Sequence, residues 1–321
     1  MAHRVGHRVA LIHTSRHAVK PTELAMRQAW PSVDIAHFVD TSLALDLDDA
    51  WIRSNNHADA ERAARQLREE ALALAPRLQH LLEHARRSGC RGALLTCGAL
   101  GGALDGVRLG LAEGAAEFPV VRPAEAALRR ALRAAAGLGS LGGDATTPFS
   151  GAAGAVAPQR LGWDGKPGAP GDARVVALLC ASEAGMAAAV REAAALLPAL
   201  QEEGQAGRQG GEGGDLAEVE IAARFVPNVA ALLEAGEAEA SAEQLGRAAW
   251  RFAEALGGEG RVAALLLPSY SASDSARGRV SELLALRGMG ELPVLGAAAA
   301  ACEQLRSLMQ VHKGSLCEFL E

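Results

Sequence analysis

One of the chain's five cysteines, Cys97, stands where a thiol could do chemistry. It lies in Ala93-Leu94-Leu95-Thr96-Cys97-Gly98-Ala99-Leu100-Gly101-Gly102, an apolar run that stops abruptly at small polar residues and glycines. That pattern predicts a buried strand, a tight loop and a helix start. A thiol in such a loop projects from the carboxyl edge of a parallel sheet, where α/β proteins place their ligand sites. A helix N-terminus beside it favours the thiolate, the reactive form of cysteine. The bland alternative is a small buried hydrophobe, the usual role of a free cysteine.

The same kind of boundary recurs along the chain. Thr14-Ser15 follows Val9-Ala10-Leu11-Ile12, Asp40-Thr41-Ser42 follows Val33 to Val39, Ser182 follows Val175 to Leu179, and Ser269-Tyr270-Ser271 follows Val262 to Leu267. Singly, such residues cap helices or make local turns, and for Asp40 and Ser42 the local turn is the favoured role. Together, on two facing sheets, they would line a cleft with hydroxyls and backbone amides. That lining suits a carboxylate ligand without a metal or a large basic cluster.

Other chemistries find no support in the spacing. The nine histidines include no H-E-x-x-H and no His/Cys ligand pattern, so no metal is expected. No P-loop lysine motif and no Gly-x-Ser-x-Gly elbow occur. Gly137-Leu138-Gly139-Ser140-Leu141-Gly142 has the dinucleotide spacing, but it follows an alanine-rich helical pattern where the fingerprint needs a strand. A nicotinamide oxidoreductase would rest on that one misplaced motif. The net charge is −6, with both signs interspersed, which argues against a nucleic-acid footprint. Arg62, Arg65 and Arg68 alternate with Glu61, Glu69 and Glu70, as on a solvated helix face. No stretch combines the length and lack of charge needed to span a membrane. With an odd number of cysteines, no C-x-x-C pair and no secretory signal at its start, the chain is expected in the reducing cytoplasm.

The elements that must position these residues alternate. Strands are expected at Val9–Ile12, Val33–Val39, Gly92–Thr96, Pro119–Val121, Val175–Leu179, Val219–Phe225, Val262–Leu267 and Leu292–Gly296. Helices are expected at Pro21–Ala29, His57–Arg87 (one long or two short, with Pro76 a kink or a start), Ala124–Ala135, Ala184–Leu197, Ala240–Leu256 and from Gly296 through Leu305. Two stretches near 136–173 and 201–214, rich in Gly with Ala, Pro or Gln, read as insertions, the first of them flexible. With 49% hydrophobic but only 3% aromatic residues, the core packs small side chains. Strand–helix alternation implies parallel sheets with right-handed crossovers. The second half echoes the first, so the expected fold is α/β, with two pseudo-symmetric three-layer domains and an active site in the interdomain cleft.

On these blocks the chain resembles the aspartate/glutamate racemase superfamily, which includes amino-acid and hydantoin racemases, maleate isomerases and arylmalonate decarboxylases. The likeness is carried by Ala10-Leu11-Ile12-His13-Thr14, Val39-Asp40-Thr41-Ser42-Leu43, Leu94-Leu95-Thr96-Cys97-Gly98-Ala99-Leu100-Gly101, Pro119-Val120-Val121-Arg122-Pro123-Ala124-Glu125-Ala126, Leu265-Leu266-Leu267-Pro268-Ser269-Tyr270-Ser271-Ala272 and Pro293-Val294-Leu295. The resemblance implies a chain that returns to its first domain near the C-terminus. The first domain is then expected at 1–120 plus 293–321 and the second at 121–292. It also implies cofactor-independent proton transfer at the α-carbon of a small carboxylate or amino acid, and a homodimer.

In racemases of this group two cysteines flank the α-carbon. Cys97 fits the first; the second falls near Ser269, a far weaker acid than a thiol. The expected site therefore has Cys97 as thiolate base or thiol acid and Ser269 as a weak donor or anchor. Thr14, Ser15, Asp40, Ser42, Thr96, Gly98, Ser182 and Ser271 are its substrate contacts. A single-cysteine decarboxylase is the alternative activity, and a non-catalytic carboxylate-binding member of the fold is the alternative class.

Overall fold

The computed structural model describes residues 7–43, 45–47, 49, 66, 69–110, 118–122, 124–136, 174–206, 219–258, 261–268 and 274–317. The fingerprint-like Gly137–Gly142 stretch, most of both expected glycine-rich insertions, and Ser269 and Ser271 lie outside them. The chain divides into two compact units, Met1–Pro123 with Ala301–Glu321, and Ala124–Ala300.

Unit 1 holds a four-stranded parallel sheet of β1 (Arg8–His13), β2 (Asp34–Val39), β3 (Ala93–Leu95) and β4 (Val120–Val121) in the order β2-β1-β3-β4. The central strands are buried without interruption: Val9 to His13 and Ala93 to Leu95. Such continuous apolar runs mark strands covered on both faces, the usual state of a parallel sheet. The edge strand β2 is only partly buried, and its sequence is correspondingly mixed. Around the sheet lie α1 (Val19–Ala29), α2 (Ala75–Arg87) and α3 (Gly101–Gly110). On α2 the buried residues are Ala75, Leu78, Leu82 and Ala85, the spacing of a single helical face. Pro76 sits at its first turn, where a missing N–H costs nothing, so the proline is a start and not a kink.

Unit 2 repeats the layout. Its sheet has β5 (Arg174–Cys180), β6 (Val219–Phe225), β7 (Val262–Leu267) and β8 (Val294–Gly296) in the order β6-β5-β7-β8. Its helices are α4 (Glu125–Ala135), α5 (Glu183–Ala206), α6 (Val229–Glu234), α7 (Ala238–Ala255) and α8 (Asp274–Ala285). Along β5 the side chains alternate between two cores. Val175, Ala177 and Leu179 join one, and Val176, Leu178 and Cys180 join the other. That is the period-two pattern of a strand buried on both faces. Opposite, the register slips between Val175 and Val176, so that β7 carries one extra residue near Ala263. Helix α9 (Ala297–Cys317) begins in unit 2 and from Ala301 belongs to unit 1. There Leu305 and Met309 fill the space that a side chain at Gly92 would need, and Arg306 donates to the Ala29 carbonyl at the end of α1.

Two helices run further than their composition indicates. α5 continues through Pro198 to Ala206, into the stretch expected to be a glycine-rich insertion, and α9 extends past Leu305 to Cys317. Within the expected His57–Arg87 helical region, residues 66 and 69–73 are helical, a turn follows at Leu74, and Ala75–Arg87 forms the next helix.

Candidate active site

Because the strands of unit 1 are parallel, His13, Val39, Leu95 and Val121 all end at one edge of the sheet. The strand order reverses direction between β1 and β3. Open α/β sheets bind ligands at such a switch point, outside the carboxyl ends of the strands. Five of the expected site residues are placed on the two loops that leave it: Thr14 and Ser15 after β1, and Thr96, Cys97 and Gly98 after β3.

Cys97 has an extended backbone and occupies the N-cap position of the turn Gly98–Leu100, which runs directly into α3. Its carbonyl accepts the first bond of that turn, from Leu100 N at 3.2 Å. The N–H groups of a helix's first turn lack intrahelical partners and carry its positive end. Cys97 is half-buried, with one side against the unit 1 core. Beside it a Cβ built on Gly98 would meet nothing within 4 Å, so the loop borders open space. The close packing of α3 against the residues before and within α2 keeps this loop in place. A Cβ on Gly102 would come within 3.0 Å of Ala71 Cβ, and one on Gly106 within 2.7 Å of Ala75 Cβ. Only glycine permits that approach.

The remaining expected residues have local partners. Ser15 Oγ lies 2.6 Å from His17 Nδ1. Asp40 accepts from Ser42 N at 3.1 Å and Ser42 Oγ at 2.6 Å, and from Arg77 Nε at 2.9 Å and Nη2 at 2.7 Å. Burial pushes the Asp40 carboxyl up, but the Ser42 and Arg77 contacts outweigh it and hold the group below its usual range. Asp40 and Ser42 thus order the loop after β2 and pin it to α2. Ser182, in unit 2, accepts from Gly185 N at 3.1 Å across the first turn of α5. Cys180, the spare thiol of unit 2, ends β5 inside a core, and burial pushes its pKa up to about 12. It is a packing residue.

Two residues were not expected at the site. His13, the last residue of β1, is fully buried. Its Nδ1 lies 3.2 Å from Thr96 Oγ1 and its Nε2 lies 3.0 Å from His37 Nδ1. Burial, and then the neighbouring His37, hold the His13 imidazole down at about 4, so it is neutral at pH 7. Arg122 follows β4 and pairs with Asp105 on α3; its Nη1 lies 3.9 Å from where a Cβ on Gly101 would stand. It adds a cation beside the first residue of the helix that Cys97 leads into.

No group of three or more His, Cys, Asp or Glu side chains able to hold a metal occurs among the described residues. No helix among them is long and apolar enough to cross a membrane. Two surface hollows of about 330 and 300 Å³ lie in unit 2 along α7, lined by arginines including Arg247 and Arg251. Neither has a cysteine or histidine in its lining.

No protein-family model matches the chain, and no curated protein does. Among solved structures, the chain is similar to glutamate racemase from Aquifex pyrophilus, with 13% identity over 93% of this chain and 82% of that one, at a TM-score of 0.45. It is also similar to a protein provisionally named an Asp/Glu racemase from Yersinia pestis, with 12% identity over 94% of this chain and 99% of that one, at a TM-score of 0.42. Superpositions this loose say nothing about chemistry, which rests on the chain's own residues.

Proposed function

We propose that the protein is a cofactor-independent racemase or isomerase in which Cys97 moves a proton at the α-carbon of a small carboxylate or amino acid. The observation that carries this reading is the placing of a half-buried thiol at the sheet's switch point, at the N-cap of a turn that runs into a helix, with open space beside it. An α-proton next to a carboxylate is very weakly acidic. Its removal needs a base within reach and oriented donors for the charge that develops. The Cys97 thiolate takes the proton and becomes the thiol, while the C–H electron pair moves into the carboxylate to form an enediolate. The N–H groups that open the Gly98–Leu100 turn and the hydroxyl of Thr14 receive that negative charge. The electron pair then returns to carbon as a proton is delivered. In this reading Ser269 is the weak donor or anchor, and the site works in a reducing compartment where Cys97 stays reduced.

A second reading is favoured by the thiol inventory. In sequence, Ser269 stands two residues past the third strand of unit 2, as Cys97 stands two past the third strand of unit 1. A hydroxyl there is a poor mirror-image base, and Cys180 is buried and protonated. One usable thiol among the cysteines whose side chains are described suits one-sided chemistry, such as loss of CO₂ from a substituted malonate. There the C–C bond breaks, its electrons form the enediolate, and Cys97 S–H protonates the carbon.

The test is proton exchange in D₂O, followed by NMR, with a panel of amino acids, hydantoins and substituted malonates and with Cys97→Ala as control. The expected result is α-deuteration or decarboxylation that the variant loses. Its stereochemistry separates two-sided from one-sided transfer. Exchange unaffected by the substitution, or none with any substrate, overturns the reading.

A further inference from the structure

The buried imidazole of His13 belongs to a chain of polar groups that leads from the protein surface to the residue before Cys97. Glu23, on α1, has Oε1 held by Arg27 at 2.8 Å, leaving Oε2 facing His37 Nε2 at 3.6 Å. His37 Nδ1 lies 3.0 Å from His13 Nε2, with the two rings stacked at 5.3 Å. His13 Nδ1 lies 3.2 Å from Thr96 Oγ1. The Thr96 backbone N–H donates to the Ile12 carbonyl at 3.0 Å, so the residue before Cys97 is tied to β1 through both its backbone and its side chain. His13 is wholly excluded from water, whereas His37 and Glu23 are partly exposed.

Each imidazole nitrogen in this chain either donates or accepts, and the neighbours fix which. A carboxylate can only accept, so it favours N–H at His37 Nε2. His37 Nδ1 is then an acceptor and takes the proton of His13 Nε2–H. His13 Nδ1 is left as an acceptor facing the Thr96 hydroxyl, which has the Ile12 carbonyl as a second acceptor, each at 3.2 Å. In this polarity the Thr96 hydroxyl can donate to His13, whereas in the reversed one His13 Nδ1–H donates to Thr96 Oγ1 and the hydroxyl turns to the Ile12 carbonyl. The opposite polarity sets a bare His37 Nε2 against the Glu23 carboxylate.

We propose that Glu23, His37 and His13 are positioning residues that set the hydrogen-bond direction of Thr96 and through it the reactivity of Cys97. The inference rests on the reading of Cys97 as the reactive centre, but not on any substrate. It assigns to an outlying carboxylate on α1 a say in the chemistry of a loop at the end of β3. Orienting a reactive group through a second hydrogen-bonded shell is the logic of acid–base triads, here extended by one imidazole.

The experiment uses the full-length protein with ¹⁵N-labelled histidine, and the rate of Cys97 alkylation by iodoacetamide at pH 7. In the wild type, ¹⁵N chemical shifts are expected to report the Nε2–H tautomer at His13. Glu23→Gln keeps the side-chain volume but offers an N–H to His37, which permits the reversed polarity. It is expected to shift the His13 tautomer and change the alkylation rate at least about threefold, with the melting temperature unchanged. His37→Asn, which keeps a polar atom near Nδ1 but severs the link to Glu23, is expected to match it. An Nδ1–H tautomer at His13 in the wild type, or alkylation rates within about 1.5-fold in both variants, overturns the proposal. Neither readout requires turnover, so a failure here is distinct from a failure of the proton-exchange test.

Discussion

Acidifying the solution below pH 6.5 should destabilise this protein through His13. The imidazole is fully buried, and burial together with His37 holds it down at about 4 against an ordinary value of 6.5. In the unfolded chain it takes up a proton as the pH falls through 6.5, whereas in the folded state it stays neutral until about 4. A lowered folded value means that the stabilising contribution is fully present above 6.5 and is lost progressively between 6.5 and 4. Each pH unit within that window costs about 1.4 kcal/mol. Between pH 7.5 and 4.5 the loss is therefore about 2–3 kcal/mol, a large share of the roughly 5–15 kcal/mol that holds a domain together. The titratable groups nearest it, His37 and Glu23, are present in both proteins to be compared. Asp40, held below its usual 3.8, loses its contribution only as the pH falls further, through and below that value. Urea unfolding followed by circular dichroism, for wild type and His13→Gln at pH 7.5, 6.0, 5.0 and 4.5, isolates the effect. The glutamine retains a donor toward His37 but cannot charge. The wild type should lose about 2–3 kcal/mol more than the variant over this range. A difference below about 0.5 kcal/mol would refute the buried, neutral histidine.

Two further outcomes follow from the packing around Cys97. Gly106→Val forces a side chain into the 2.7 Å gap before Ala75, and should cost about 1–3 kcal/mol in urea unfolding, as overpacked cores do; an unchanged midpoint would show that α3 stands off from α2. Reaction of the native protein with a thiol reagent should proceed quickly at Cys97 and only on unfolding at Cys90, Cys180 and Cys302, all three buried, which mass spectrometry of the labelled peptides can read.

Sequence alone shows most of this fold because the central strands are unbroken apolar runs bounded by polar or glycine residues. Val219–Phe225 and Val262–Leu267 emerge with the bounds that periodicity gives them. The helix ends are harder to read. Alanine carries α5 through Pro198 and into a Gln/Glu/Gly stretch whose composition suggests a loop. At the site, Cys97 and its neighbours are legible because a strand end followed by glycine is a local pattern. His13 and His37 are not. They stand 24 residues apart and share no ligand spacing. They meet because the parallel register sets Leu11 opposite His37, which makes His13 the diagonal neighbour on the same face. A histidine ending one strand and a histidine inside the adjacent one is a signal only once the pairing is known. Arg122 is hidden for the same reason, since its partner Asp105 lies on a helix that precedes it by a strand.

The division of the chain also governs the order in which the molecule can be made. Unit 2 is continuous and can fold as soon as the ribosome has released it. Unit 1 is not: the helix that supplies Leu305 and Met309 beneath Gly92, and that binds the end of α1 through Arg306, is synthesised after unit 2. At about 5–20 residues per second, the nascent sheet carrying Cys97 waits roughly ten to forty seconds with that face uncovered. A nascent chain arrested before α9 would therefore hold a finished second half and an open first half, its reactive thiol already synthesised but its sheet not yet closed.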